Sequence, residues 1–146
     1  MVDRRIMRGD NREFGEFGEF GEFGEFLQTF VRDLNNLSED GCVVLVEGKR
    51  DVTALRKIGY TGEILSISSF SSRESQRVLA RAKSIAILTD LDSEGRRLAA
   101  RYTKMLKARG VDSSLRERKR LSAASKGTFL HVENLRRFSR LDGDMY

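Results

Sequence analysis

The chain has 146 residues, 39% of them hydrophobic and 34% charged, with a formal net charge of +5 at pH 7. That is enough for one domain with a buried core and too little for two. No apolar run approaches the ~18 residues that span a bilayer, the charged start (Asp3, Arg4, Arg5, Arg8) lacks the apolar stretch of a signal peptide, and a lone cysteine, Cys42, excludes an internal disulfide and points to a reducing, cytoplasmic setting.

Residues 1–12 are polar and are expected to be poorly ordered. Glu-Phe-Gly then repeats from Glu13 to Gly24 and closes with Glu25-Phe26. A period of three matches neither the 3.6 of a helix nor the 2 of a strand, and each glycine costs a helix roughly 1 kcal/mol relative to Ala. Residues 1–25 are therefore read as a low-complexity segment, flexible or partly helical, with docking of its acidic-aromatic surface on the domain or a partner as the other reading. The folded domain is expected over 26–146.

Leu27, Phe30, Val31, Leu34 and Leu37 recur at helical spacing, and Ser38-Glu39-Asp40-Gly41 ends that helix. Cys42–Val46 reads as a strand buried on both faces. Asp51–Ile58 reads as a helix with Asp51 as its cap and Gly59 after its last turn. Ile64–Ile67 is a second strand, Ser71–Ala82 a helix capped by Ser71 or Ser72, Ser84–Leu88 a third strand, Glu94–Arg109 a long helix and Val111–Leu115 a weaker fourth strand. A basic segment, Arg116–Arg120, and a short amphipathic piece, Val132–Phe138, follow. Strands alternating with helices predict an α/β fold, a parallel sheet of about four strands flanked by helices.

In such a sheet, function collects at the carboxyl ends of the strands. Val46 is followed by Glu47-Gly48-Lys49-Arg50-Asp51, and Leu88 by Thr89-Asp90-Leu91-Asp92-Ser93-Glu94-Gly95. Carboxylates delivered to one edge repel each other, and a hard, oxygen-seeking cation is the simplest remedy. Glu47, Asp90, Asp92 and Glu94 are the candidate ligands, with a favourable charge in the first turn of its helix the other reading of Glu94, and with Mg²⁺ the expected ion and Mn²⁺ an alternative. Mg²⁺ takes one or two carboxylates and shares its other positions with water and phosphate, which suits phosphodiester chemistry. Lys49 would either ion-pair with Glu47, Asp90 and Asp92 or neutralise a scissile phosphate beside them, and Arg96 or Arg97 could reach substrate phosphate.

Glu47-Gly48-Lys49-x-Asp51 after one buried strand and Asp90-x-Asp92-x-Glu94 after another together resemble the Toprim domain. That domain is shared by topoisomerases, bacterial-type primases, overcoming-lysogenization-defect nucleases and a ribosomal-RNA maturation nuclease. The resemblance spans roughly Cys42 to Leu135 and is strongest to small stand-alone Toprim proteins, which carry a stretch like Val132-Glu133-Asn134-Leu135 near the C-terminus. It implies a Rossmann-like Toprim fold, a general acid/base or metal-ligand role for Glu47, and Mg²⁺ binding by Asp90 and Asp92.

Departures narrow the function. Tyr60, Tyr102 and Tyr146 are not placed for strand passage, and one Cys with one His cannot build a primase zinc module. His131 reads as a packing or surface residue. A haloacid-dehalogenase reading of Thr89–Ser93 leaves Glu47 unexplained and finds a downstream acidic pair only in Asp142 and Asp144. From Arg96 to Arg140, 14 Lys and Arg face three acids, a net of +11, whereas the rest of the chain carries −6. The polyanion this implies is nucleic acid, RNA or DNA, met by Arg96, Arg97, Arg116, Arg118, Lys119 and Arg120, rather than a membrane. Metal-dependent hydrolysis of a nucleic-acid phosphodiester is the expected function. Non-catalytic RNA or DNA binding around a structural or vestigial metal site is the alternative.

Overall fold

The computed structural model describes residues 17–139, with side chains from residue 21 onward. The polar stretch 1–12, the first Glu-Phe-Gly copies and the chain beyond Ser139 lie outside the described residues. In chain order the elements are α1 (Phe17–Glu39), β1 (Cys42–Val46), α2 (Lys49–Lys57), β2 (Ile64–Ser66), α3 (Arg73–Arg81), β3 (Ser84–Ile87), α4 (Ser93–Ala108), β4 (Asp112–Ser114) and α5 (Arg116–Ser125). One 3₁₀ turn follows β2 (Ile67–Ser69), and a longer 3₁₀ segment (Val132–Phe138) closes the described chain.

The four strands form one wholly parallel sheet in the order β2-β1-β3-β4. Strand β1 is central because all five of its residues are apolar and can be buried on both faces. Side-chain alternation sorts them. Cys42, Val44 and Val46 join Ala86 and Leu88 under α1, α2, α5 and the 3₁₀ segment. Val43 and Leu45 join Ile85 and Ile87 under α3 and α4, against Leu79, Ala99, Tyr102 and Leu106. Both layers present their helix and loop starts to the carboxyl edge of the sheet.

Three sequence expectations shift. Helix α1 begins at Phe17 rather than near Phe26, so the repeat is helical from Phe17 onward. The reason is that Phe23, Phe26 and Phe30 stand three and four residues apart, the spacing of one helical stripe, and they pack on the first core layer. Helix α2 begins at Lys49, with Gly48 at its cap; Asp51 sits one turn in, and its carboxylate accepts the Gly48 N–H at 3.0 Å. The Arg116–Arg120 segment is the first half of α5. By contrast Ser72 caps α3 as anticipated, accepting the Ser75 N–H at 3.1 Å. Among the described residues no helix is long and apolar enough to cross a membrane.

Candidate metal centre

The loop after β3 carries the site, and its backbone is held from three directions. Asp92 caps α4, its Oδ1 accepting the Gly95 N–H at 2.7 Å. Thr89, wholly buried, donates its hydroxyl to the Gly95 carbonyl at 2.7 Å. Gly95 admits no side chain, because a Cβ there would lie 1.8 Å from the Asp90 carbonyl oxygen. Beneath the loop, the half-buried Arg118 guanidinium donates to the Thr89 carbonyl at 3.2 Å and to that of Asp90. Burial lowers the Arg118 pKa, as does neighbouring Arg96, while Asp92, Glu47 and Asp90 oppose them.

The acids follow from that scaffold. Glu47, directly after β1, accepts the Asp90 N–H on Oε2 at 2.9 Å, which ties the ends of the two central strands together. Burial raises the Glu47 pKa above the usual carboxylate value, and the charges of Asp90, Asp51 and Asp92 push the same way against that hydrogen bond. Asp51 is raised likewise, first by burial and then by Asp90 and Glu133. Asp90 spends Oδ1 on the Val132 N–H at 2.7 Å and turns Oδ2 toward His131 Nδ1 at 3.2 Å. Asp92 Oδ2 lies 3.7 Å from the same nitrogen.

One donor atom each from Asp90, Asp92 and His131 therefore lies within 4.8 Å of the others. Each aspartate has one oxygen engaged by a backbone N–H, leaving the other facing this point. Two such oxygens fit a divalent cation by the chemistry of the donor set.

Of the residues expected at the site, Asp90 and Asp92 converge, and Glu47 abuts them through the Asp90 backbone. Glu94 does not join this group. It is exposed on the first turn of α4 and paired with Arg97, which draws its pKa down. Lys49 is exposed at the start of α2, and Arg96, Arg116 and Lys119 are exposed on α4 and α5. Arg118 is turned inward as described. Arg120 is engaged within the fold, bonding Glu117 at 2.8 Å and Asp33 at 3.1 Å with its guanidinium over the Phe26 and Phe30 rings. Those contacts join α5 to α1.

His131, read from sequence as a packing or surface residue, is half exposed but stands over the acids, and Asp90 holds its pKa above the usual imidazole value. Nothing in a lone histidine signals this. The adjoining Val132–Leu135 motif was visible, but its path back to the acidic loop was not.

The Toprim domain model matches residues 41–115. A UPF0292 protein of Thermococcus sibiricus is 34% identical over 102 residues, covering 70% of this chain and 81% of the relative. One of Archaeoglobus fulgidus is 30% identical over 108 residues, covering 74% and 85%. A solved protein from Aquifex aeolicus superposes with a TM-score of 0.60 at 26% identity, over 74% of this chain and 96% of that one. With the acidic motifs at the carboxyl edge of a parallel sheet and a family match across the whole sheet, the chain belongs to the Toprim domain family.

Proposed function

We propose that this protein is a divalent-metal-dependent hydrolase of nucleic-acid phosphodiesters. The observation that carries the reading is the convergence of Asp90 Oδ2 and Asp92 Oδ2 at the edge of the sheet, each carboxylate oriented by a backbone N–H on its other oxygen. Asp90 and Asp92 would hold the ion, Mg²⁺ or Mn²⁺, which when bound polarises a phosphoryl oxygen and supplies positive charge to the reaction.

Glu47 is suited to carry a proton. Its burial favours the protonated form more than in an ordinary glutamate, and its Oε1 has no hydrogen-bond partner among the described residues. Lys49 and Arg96, exposed beside the two acidic loops and without an ion pair among the described residues, would bind phosphate. Arg116 and Lys119, exposed on α5, would extend backbone contact along the strand. Arg118 and Arg120 support the site from within and are withdrawn from that contact surface.

A second reading, binding without turnover, is favoured by the net +11 between Arg96 and Arg140 and needs no chemistry at the acids. End-labelled single- and double-stranded RNA and DNA, incubated with Mg²⁺, Mn²⁺ or chelator beside the Asp90→Asn/Asp92→Asn variant, separate the two. Cleavage that requires metal and both aspartates is expected. Retention of intact probe, equal in wild type and variant and steeply salt-dependent, would replace hydrolysis with binding.

A further inference from the structure

We propose that His131 is a third protein ligand of this metal, and that it biases the centre toward a first-row transition ion, Mn²⁺ foremost, over Mg²⁺. The inference rests on the reading of Asp90 and Asp92 as metal ligands and adds a residue from outside the matched Toprim segment, which ends at 115.

Neighbouring donors around an octahedral ion with bonds of ~2.1 Å lie about 3 Å apart, and opposite donors about 4 Å apart. His131 Nδ1 stands 3.2 Å from Asp90 Oδ2 and 3.7 Å from Asp92 Oδ2. Both nitrogen–oxygen separations fall in the range spanned by ligands around one ion, and one donor atom from each of the three residues lies within 4.8 Å of the others.

The backbone that carries the ring is also held in place. On one side of it the Leu130 carbonyl accepts the Leu91 N–H at 2.6 Å, and on the other the Val132 N–H donates to Asp90 Oδ1 at 2.7 Å. Both neighbours of His131 are therefore bonded to the acidic loop itself. Val132 and Leu135, each 0% exposed, anchor the following turn in the core. A ligand fixed on both sides loses little freedom when it binds.

Chemistry gives the direction of the preference. Mg²⁺ is best served by oxygen and gains little when imidazole replaces water. Affinity for a nitrogen donor rises from Mn²⁺ along the first-row divalent ions. Of these, Mn²⁺ shares the taste for carboxylate and phosphate oxygen that the two aspartates and the substrate would satisfy.

His131 is the chain's one histidine, which makes the test direct. Untagged protein is loaded with Mn²⁺ and examined by pulsed EPR for ¹⁴N coupling from a directly bound imidazole. Mn²⁺ and Mg²⁺ affinities are then measured calorimetrically for wild type, His131→Ala and Asp90→Asn. Strong nitrogen coupling in wild type, absent in His131→Ala, is expected, with the Mn²⁺:Mg²⁺ preference falling about tenfold or more. Mn²⁺ binding that needs Asp90 but shows no nitrogen coupling would overturn the role of His131 and leave the aspartate centre standing. An unchanged preference in His131→Ala would overturn the bias. Failure of wild type to bind either ion would overturn both this inference and the metal reading beneath it.

Discussion

Two segments meet at the candidate centre, and they are held by different physics. The acidic loop, Thr89 to Gly95, is fixed by polar bonds, several of them among residues close in sequence: the Thr89 hydroxyl to Gly95, the Gly95 N–H to Asp92, and the close approach of Gly95 to the Asp90 carbonyl, with Glu47 and Arg118 bonding its backbone from farther along the chain. The segment Phe129 to Phe138 is fixed chiefly by apolar burial at a distance, with Leu130 and Val132 also bonded to the loop. Phe129, Val132, Leu135 and Phe138 are sunk in the first core layer, against α2 and α1. The Phe23 ring meets those of Phe129 and Phe138 at 5.5 and 5.0 Å. A loop held by local bonds can be read as a motif, whereas a segment held by packing acquires its role only where the chain folds back. Within the Glu-Phe-Gly repeat, Phe23 belongs to the second kind, since its ring braces the segment that brings His131 to the acids.

The acidic loop is most vulnerable at Gly95. Its replacement by Ala drives a Cβ into backbone rather than into a movable side chain, and about 3 kcal/mol or more of stability should be lost in urea denaturation. A loss under about 1 kcal/mol would mean that the loop yields and is not the rigid half of the site.

Phe23→Ala tests the other half at smaller cost. The ring is only partly buried, so about 1–2 kcal/mol is expected from lost area and ring contacts. The effect should also be regional. Hydrogen exchange should quicken across residues 129–138 while β1 and β3 keep their protection. A loss of protection spread evenly over the sheet would erase the distinction between the two segments.

The smallest effect is electrostatic and opposite in sign. Because burial raises the Glu47 pKa, the proton-bound form is favoured on folding. Its contribution is complete below the ordinary glutamate value and is lost as pH rises through the raised one, so at neutral pH the ionised group costs stability. Glu47→Gln should therefore melt slightly higher than wild type in chelator at pH 7–8, with the gap closing as pH falls through the raised value. A variant that melts lower at neutral pH would show that the Asp90 N–H bond outweighs the buried charge.

The parts of the fold that were legible in sequence are those where one local signal suffices. Cys42–Val46 and Ser84–Leu88 announced buried strands by being apolar without interruption, and the acids after them identified the working edge. The repeat was harder, since a period of three reads as no regular element until Phe23 and Phe26 are seen to continue the stripe of Phe30 and Leu34. The cations divide in the same way. Composition counted Arg118 and Arg120 with the nucleic-acid-facing residues. The structure turns Arg118 under the loop carbonyls and Arg120 between Asp33 and Glu117.

By itself, then, the sequence determined the parallel sheet, its carboxyl edge, and the delivery of Glu47, Asp90 and Asp92 to that edge. Each of these follows from periodicity or from a residue's position directly after a strand. Only the tertiary structure decided that Glu94 would pair with Arg97, that Arg118 and Arg120 would turn inward, and that His131 would stand over Asp90 and Asp92. Those outcomes depend on which surfaces bury one another. The contact between Asp90 and His131 spans 41 residues of chain, and it arises because the apolar side of Val132–Phe138 has to be covered by α1 and α2.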